Sequence, residues 1–137
     1  MAMLSYSNFG SDKQGSPLKV HEAIDFLHKT YPDMVVDGEM QVNFALDKKL
    51  RDDMYPFNKL KGQDVNTLIF PNLSSANSAY KLLDTLGITE TIGPIQMGLN
   101  KPIHFTEVES STRDIVNLTT VAVVDAIVQE QIEKENR

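Results

Sequence analysis

The sequence predicts an α/β domain: a mainly parallel sheet with helices on both faces. Two observations carry this expectation. Short apolar runs alternate along the chain with segments of helical period, the pattern of right-handed βαβ crossovers. The runs also end in loops of Ser, Asn and Gly, the composition found where strands feed helices in such sheets. The segment from Asn66 to Pro102, NTLIFPNLSSANSAYKLLDTLGITETIGPIQMGLNKP, shows both.

The elements follow in order. Ala2 to Ser7 reads as a short buried strand, with a Gly/Ser/Asn loop from Asn8 to Gly15. Ser16 and Pro17 mark a helix start, as N-cap and first helical residue. Leu18, Val20, Ala23, Ile24, Leu27 and Tyr31 recur at helical spacing until Pro32. Met34 to Asp37 is a second strand, leading into Gly38-Glu39-Met40-Gln41. A weaker helix covers Asn43 to Met54, and Tyr55 to Gly62 is a loop.

Thr67 to Phe70 is a third strand, closed by Pro71. Ser74 to Leu86 forms a helix with Ser74 or Ser75 as its cap and Ala76, Ala79, Tyr80, Leu82, Leu83 and Leu86 inward. Gly87 stands where a C-terminal cap belongs. Ile95–Leu99 and Ile103–Thr106 are expected strands, split by Asn100-Lys101-Pro102. A last helix runs from about Ser111 to Glu133, apolar almost all round between Ile115 and Val128, so it is expected to be buried on more than one side.

Composition narrows the function. The chain has 137 residues, a net charge of −6, three histidines and no cysteine. The acidity argues against a nucleic-acid surface. The missing cysteines exclude disulfides, thiolate metal sites and cysteine nucleophiles. Asn117, Thr119, Thr120 and Asp125 interrupt the longest apolar stretch, so no bilayer span is expected, and a cytoplasmic location is the default. The strand pattern starts at Ala2 with no lead-in, which reads as one α/β domain over residues 1–137 excised from a larger module.

Three polar loops could carry chemistry. Ser7, Asn8, Gly10 and Ser11 follow the first strand, where small residues and hydroxyls can approach an anion. The loop has neither P-loop nor G-x-G-x-x-G spacing, and a plain βα loop explains it as well. Glu39 and Gln41 follow the second strand and could orient a substrate, move a proton or cap a helix. Asn72 and Asn77 remain as hydrogen-bonding candidates once a serine is assigned to the cap. His21 and His28 are expected on the surface, and His104 as a hydrogen-bonded structural residue. No histidine has metal-ligand spacing, no G-x-S-x-G elbow exists, and Ser111 with Asp114 fits a capping box.

The motifs AMLSYSNFGS, PDMVVDGEMQ, NTLIFPNLSSANSAYKLL, IGPIQMGLNKPIH and DIVNLTTVAVVDA, in this order over nearly the whole chain, resemble the C-terminal half of the phosphate acetyl/butyryl transferase family. The SNFGS, GEMQ and IGPIQMGL-x-KPIH wording is more similar to the version fused to bacterial NADP-dependent malic enzymes than to stand-alone phosphate acetyltransferases. The resemblance implies an isocitrate/isopropylmalate dehydrogenase-like fold with coenzyme A and acetyl phosphate in an interdomain cleft, this chain supplying less than half of the module. It implies no cofactor or metal in this segment itself, NADP and Mg2+ or Mn2+ in the parent, acetyl-CoA or CoA as a possible ligand, and as partners the rest of the parent chain and further copies in a homo-oligomer. Asp114 matches the family's catalytic aspartate. The Ser-Arg-Gly segment of active members, however, is matched by Glu107, Val108 and Glu109. The resemblance to the fused malic enzymes implies a regulatory, oligomerising module responsive to acetyl-CoA, which fits that loss, with an active phosphate acetyltransferase or a purely structural dimerisation module as the alternatives.

Overall fold

A computed structural model describes residues 1–88 and 90–135. These residues group into two compact units, Met1–Leu82 and Leu83–Arg137. In the first, three short strands form a parallel sheet in the order β2–β1–β3. They are β1 (Ala2–Leu4), β2 (Asp37–Met40) and β3 (Leu68–Ile69). Ala2 stands opposite Asp37 on one side and Leu68 on the other, and Met3 opposite Gly38 and Ile69. Leu4 then pairs with Met40, so the ladder skips Glu39 and β2 carries one extra residue there.

That skip positions the site. Gly38 is extended at φ +146°, and an added Cβ would stand 2.5 Å from the Met3 carbonyl oxygen, so only glycine lets β2 lie this close to β1. Next to it, Glu39 leaves the ladder and turns to the loop after β1, its carbonyl accepting the Phe9 N–H at 2.7 Å. β2 therefore lies three residues later than the expected strand at Met34–Asp37. Val35 is half exposed, whereas Val36 through Met40 are all buried. Two buried carboxylates inside this strand hid it from an apolar pattern.

α1 (Gly15–Thr30) packs on β2 and β1 through Val20 and Ile24. It begins at Gly15 with Gln14 as a cap lacking a side-chain bond, not at Ser16. The expected helix over Asn43–Met54 is two: α2 (Val42–Leu46) and α3 (Lys48–Met54). Asp47 separates them because its side chain accepts the Leu50 N–H at 2.8 Å, starting a new helix. Ala2, Leu4, Met40, Ala45 and Leu60 form the core, with Phe9, Phe44, Val65, Leu68 and Phe70 around it. Arg51 is fully buried and donates to the carbonyls of Ala45, Leu60 and Gln63, closing the 55–63 loop over that core.

α4 (Leu73–Thr85) is capped by Asn72, whose Oδ1 accepts the Ser75 N–H at 2.9 Å. The sequence reading gave that role to Ser74 or Ser75. None of α4's residues is fully buried; of the expected inward face Ala76, Ala79 and Tyr80 are partly covered, and Leu82, Leu83 and Leu86 are exposed.

In the second unit Gly87, at φ +62°, follows α4 and donates to the Asp84 carbonyl as expected. The strands expected at 95–99 and 103–106 are absent: among the described residues these segments make no backbone ladder. α5 (Thr112–Glu135) starts at a reciprocal Ser111/Asp114 box, as its sequence indicates. Within the described residues α5 buries only Leu118, not two faces. By length and composition it also reaches the threshold of a bilayer span, which the sequence reading had not expected. Asp125 sits in its middle, where a bilayer centre would cost about 3 kcal/mol, so we read its apolar surface as facing protein.

Candidate functional site

The C-terminal ends of the three strands open into a groove of about 670 Å3. Ser5 and Tyr6 line it after β1, Gln41 to Asn43 after β2, and Phe70 to Asn72 after β3. This is the edge at which open parallel sheets bind ligands, and the volume suits a small molecule. The three polar loops singled out in the sequence thus meet at one edge.

The organiser of this edge is Glu39, whose side chain has no solvent exposure. Its Oε1 accepts the Ser7 hydroxyl at 3.0 Å and the Gly10 N–H at 2.6 Å, and its Oε2 lies 3.2 Å from His21 Nδ1. Because the Ser7 proton goes to Glu39, Ser7 Oγ is left to accept from Ser11 Oγ and from the Asp12 N–H, both at 2.9 Å. Ser11 Oγ in turn accepts the Asn8 N–H at 3.0 Å. Each hydroxyl proton has one destination, and the loop closes around the carboxylate.

Asn8 and Gln41 lock the same loop from the groove side. Asn8 Oδ1 accepts the Gln41 N–H at 2.8 Å, and Gln41 Nε2 donates to the Tyr6 carbonyl at 2.7 Å. Tyr6 is exposed and its hydroxyl donates to Asp12, whose carboxylate raises the phenol's pKa above the ordinary value. Ser7, Asn8, Gly10, Ser11, Glu39 and Gln41 therefore form one network, and Asn72 shares the groove with Gln41. Asn72 Oδ1 is spent on the α4 cap, which leaves its amide nitrogen for a ligand. Asn77 is exposed on α4 and lines no part of the groove.

His21 is exposed, as expected, but its contact with Glu39 was missed, as was that of His28, whose Nε2 contacts the Val36 carbonyl at 2.9 Å. The eighteen-residue gap between His21 and Glu39 gives no local signal. Arg51 was missed too, although its position on a helix otherwise contributing Leu50 to the apolar count was a hint.

Asp114 belongs to the second unit. Hydrogen bonds from the Ser111 hydroxyl and N–H hold its carboxyl below the ordinary range, with Arg113 adding to the effect. It shares with Glu107 a crevice of about 20 Å3, room for about one water. Arg113 is bound to Glu90 at 2.7 Å, and Lys101 and Lys134 to Glu133 and Glu130. Among the described residues no His, Asp or Glu cluster could hold a metal ion.

Comparison with known proteins settles the family. A match to the family described as phosphate acetyl/butaryl transferase covers residues 1–123. The chain belongs to that family. Its relatives fall into two groups. One holds the NADP-dependent malic enzyme of Salmonella typhimurium, 40% identical over 92% of this chain but only 17% of its own length. The other holds the phosphate acetyltransferase of Clostridium acetobutylicum, 37% identical over 92% of this chain and 38% of its own. A crystal structure of a phosphotransacetylase from Streptococcus pyogenes superposes with a TM-score of 0.82 at 39% identity, again over 92% of this chain and 38% of that one. The chain thus spans less than two-fifths of the relatives it matches.

Proposed function

We propose that these residues form part of the C-terminal phosphotransacetylase-like module of an NADP-dependent malic enzyme, contributing ligand response and assembly instead of acyl transfer. The parent would oxidatively decarboxylate malate to pyruvate and CO2 in the cytoplasm. NADP and Mg2+ or Mn2+ would be held elsewhere in the parent. The complete module would have the isocitrate/isopropylmalate dehydrogenase-like architecture and bind acetyl-CoA or CoA. Identity of about 40% to malic enzymes across most of the chain supports the assignment of the parent.

One observation carries the non-catalytic part of the reading. Glu107, Val108 and Glu109 precede α5, Val108 is fully exposed, and the nearby Arg113 is committed to Glu90. Among the described residues, a phosphoryl group approaching Asp114 would meet carboxylates, with Arg113 already paired. Acyl-phosphate chemistry needs the opposite field. The test is acetyl phosphate formation from acetyl-CoA and phosphate by the full-length parent, run beside malate-dependent NADP reduction with and without acetyl-CoA. The reading expects no turnover in the first assay and a response to acetyl-CoA in the second.

An active phosphate acetyltransferase is the second reading. It is favoured by the likeness to the Streptococcus pyogenes enzyme over 92% of this chain. Turnover in the first assay would establish it.

A further inference from the structure

The loop after β1 borders a second cavity. Phe9, Gly10, Asp12 and Lys13, with Leu18 and His21 of α1, line a space of about 520 Å3. None of these residues lines the sheet-edge groove. Phe9 stands there at φ +45°, a left-handed conformation uncommon outside glycine, and its ring packs on Tyr55 at 4.7 Å and Phe57 at 5.3 Å.

His21 differs from the other two histidines. As a carboxylate Glu39 only accepts, so the proton between its Oε2 and His21 Nδ1 belongs to the imidazole. That bond fixes the tautomer and leaves the Nε2 lone pair free, and Nε2 has no partner of its own. The ring is 47% exposed at the cavity. His28 instead commits Nε2 to the Val36 carbonyl, and His104 is buried. Lys13 brings a cation to the same cavity and has no ion pair among the described residues. Both oxygens of the neighbouring Asp12 are taken, one by the Tyr6 hydroxyl and one by the Gln14 N–H. A carboxylate-oriented imidazole beside an uncommitted cation is a nucleophile next to a place for negative charge.

We propose that His21 Nε2 is a phosphoryl acceptor, taking its phosphoryl group from a small acyl phosphate bound beside Lys13 against Phe9 and Leu18. The donor class follows from the cavity. Its volume suits a small molecule, and the chain has neither P-loop nor G-x-G-x-x-G spacing to seat a nucleoside triphosphate. A phosphate ester would release an alkoxide that needs a proton, yet the acid lining the cavity, Asp12, has both oxygens committed. An acyl phosphate releases a carboxylate, which leaves without one. In the step, the Nε2 lone pair attacks phosphorus and an N–P bond forms. The bond from phosphorus to the acyl oxygen breaks, and the carboxylate departs with its electron pair. Lys13 balances charge on the phosphoryl oxygens. The imidazolium keeps its Nδ1 proton against Glu39 until that proton passes to solvent. Nothing in this step depends on the chemistry at Asp114 or on the identity of the parent.

The test incubates the full-length parent with acetyl phosphate in the absence of coenzyme A. Phosphorus NMR identifies the bond formed, and peptide mass spectrometry at neutral pH maps the residue. The proposal expects an acid-labile, alkali-stable phosphoramidate on His21, absent from His21→Ala and from the unfolded protein. Lys13→Met, a change at an exposed position, should slow its formation at least about tenfold. No phosphoramidate on the unsubstituted protein, label on His28 or His104, an acid-stable label on a serine, acetylation of Lys13 alone, or an unchanged rate in Lys13→Met would each overturn it. Neither acetyl-CoA nor malate enters the assay. A parent that made acetyl phosphate from acetyl-CoA would refute the non-catalytic reading and leave the His21 result standing, and an acetyl-CoA-responsive parent that took no label would do the reverse.

Discussion

Replacing Glu39 should do more to the first unit's stability than changing any other polar residue in the sheet-edge network. The carboxylate receives the Ser7 hydroxyl and the Gly10 N–H on one oxygen and faces His21 on the other. Hydrogen bonds to a charged group contribute about 1.5–3 kcal/mol each. Glu39→Ala removes two such bonds and leaves the buried Ser7 hydroxyl without its acceptor, so we predict a loss of about 3–6 kcal/mol. Glu39→Gln keeps the shape and one acceptor oxygen. Neutral bonds are roughly half as strong, so about 1.5–3 kcal/mol is lost. His21 contributes less, its side chain being 47% exposed, and His21→Ala should cost under about 1 kcal/mol. Urea unfolding followed by circular dichroism gives the midpoints. The order Ala, Gln, then His21→Ala is the expected ranking. Glu39→Ala within about 0.5 kcal/mol of the parent sequence would show that the carboxylate does not organise the loop.

Further outcomes follow from neighbouring features. Gly38→Ala places a Cβ 2.5 Å from the Met3 carbonyl at φ +146°, so we expect a loss of at least about 2 kcal/mol in the same unfolding assay. Arg51→Met removes the donors to three carbonyls, two of them in buried bonds, and should lower stability by about 3–5 kcal/mol; Arg51→Lys should recover little, since an ammonium cannot span the Ala45, Leu60 and Gln63 oxygens together. The Asp114 carboxyl is held below its ordinary value of 3.8, chiefly by Ser111. Its contribution to α5 is therefore complete above that value and lost as pH falls through the lower, folded one. Helicity followed by circular dichroism on acidification should show this loss, and Ser111→Ala should move it to higher pH. An unchanged acid limb in Ser111→Ala would contradict the capping box.

Much of the fold was legible because strand and helix periods, Gly87 and the Ser111/Asp114 box are local signals. β1, β3, α1 and α4 lie within a few residues of their expected places. The displaced β2 was not legible, because the residues that make it buried are Asp37 and Glu39. Their partners, the Lys59 N–H for Asp37 and Ser7, Gly10 and His21 for Glu39, lie between 18 and 32 residues away along the chain. The break between α2 and α3 turned on one Asp47 side chain competing for a backbone amide. The strands expected at 95–106 have the right period but need neighbours that the described residues do not provide. At the site, convergence of three loops could be read from the alternation of elements. The division of labour within them could not: Asn72 caps a helix, and the hydroxyls of the first loop serve a carboxylate of the same chain. Donors spent on Glu39 are not open to a phosphate, so a ligand in the groove would meet Gln41, Asn43, Tyr6 and the Asn72 amide first.

The central claim is that this module has kept the transferase fold and lost the transferase field around Asp114. The most direct test is acetyl phosphate production by the full-length parent supplied with acetyl-CoA and inorganic phosphate. The account predicts no formation above the uncatalysed background while malate-dependent NADP reduction proceeds. Sustained turnover of acetyl phosphate, abolished by Asp114→Asn, would contradict it.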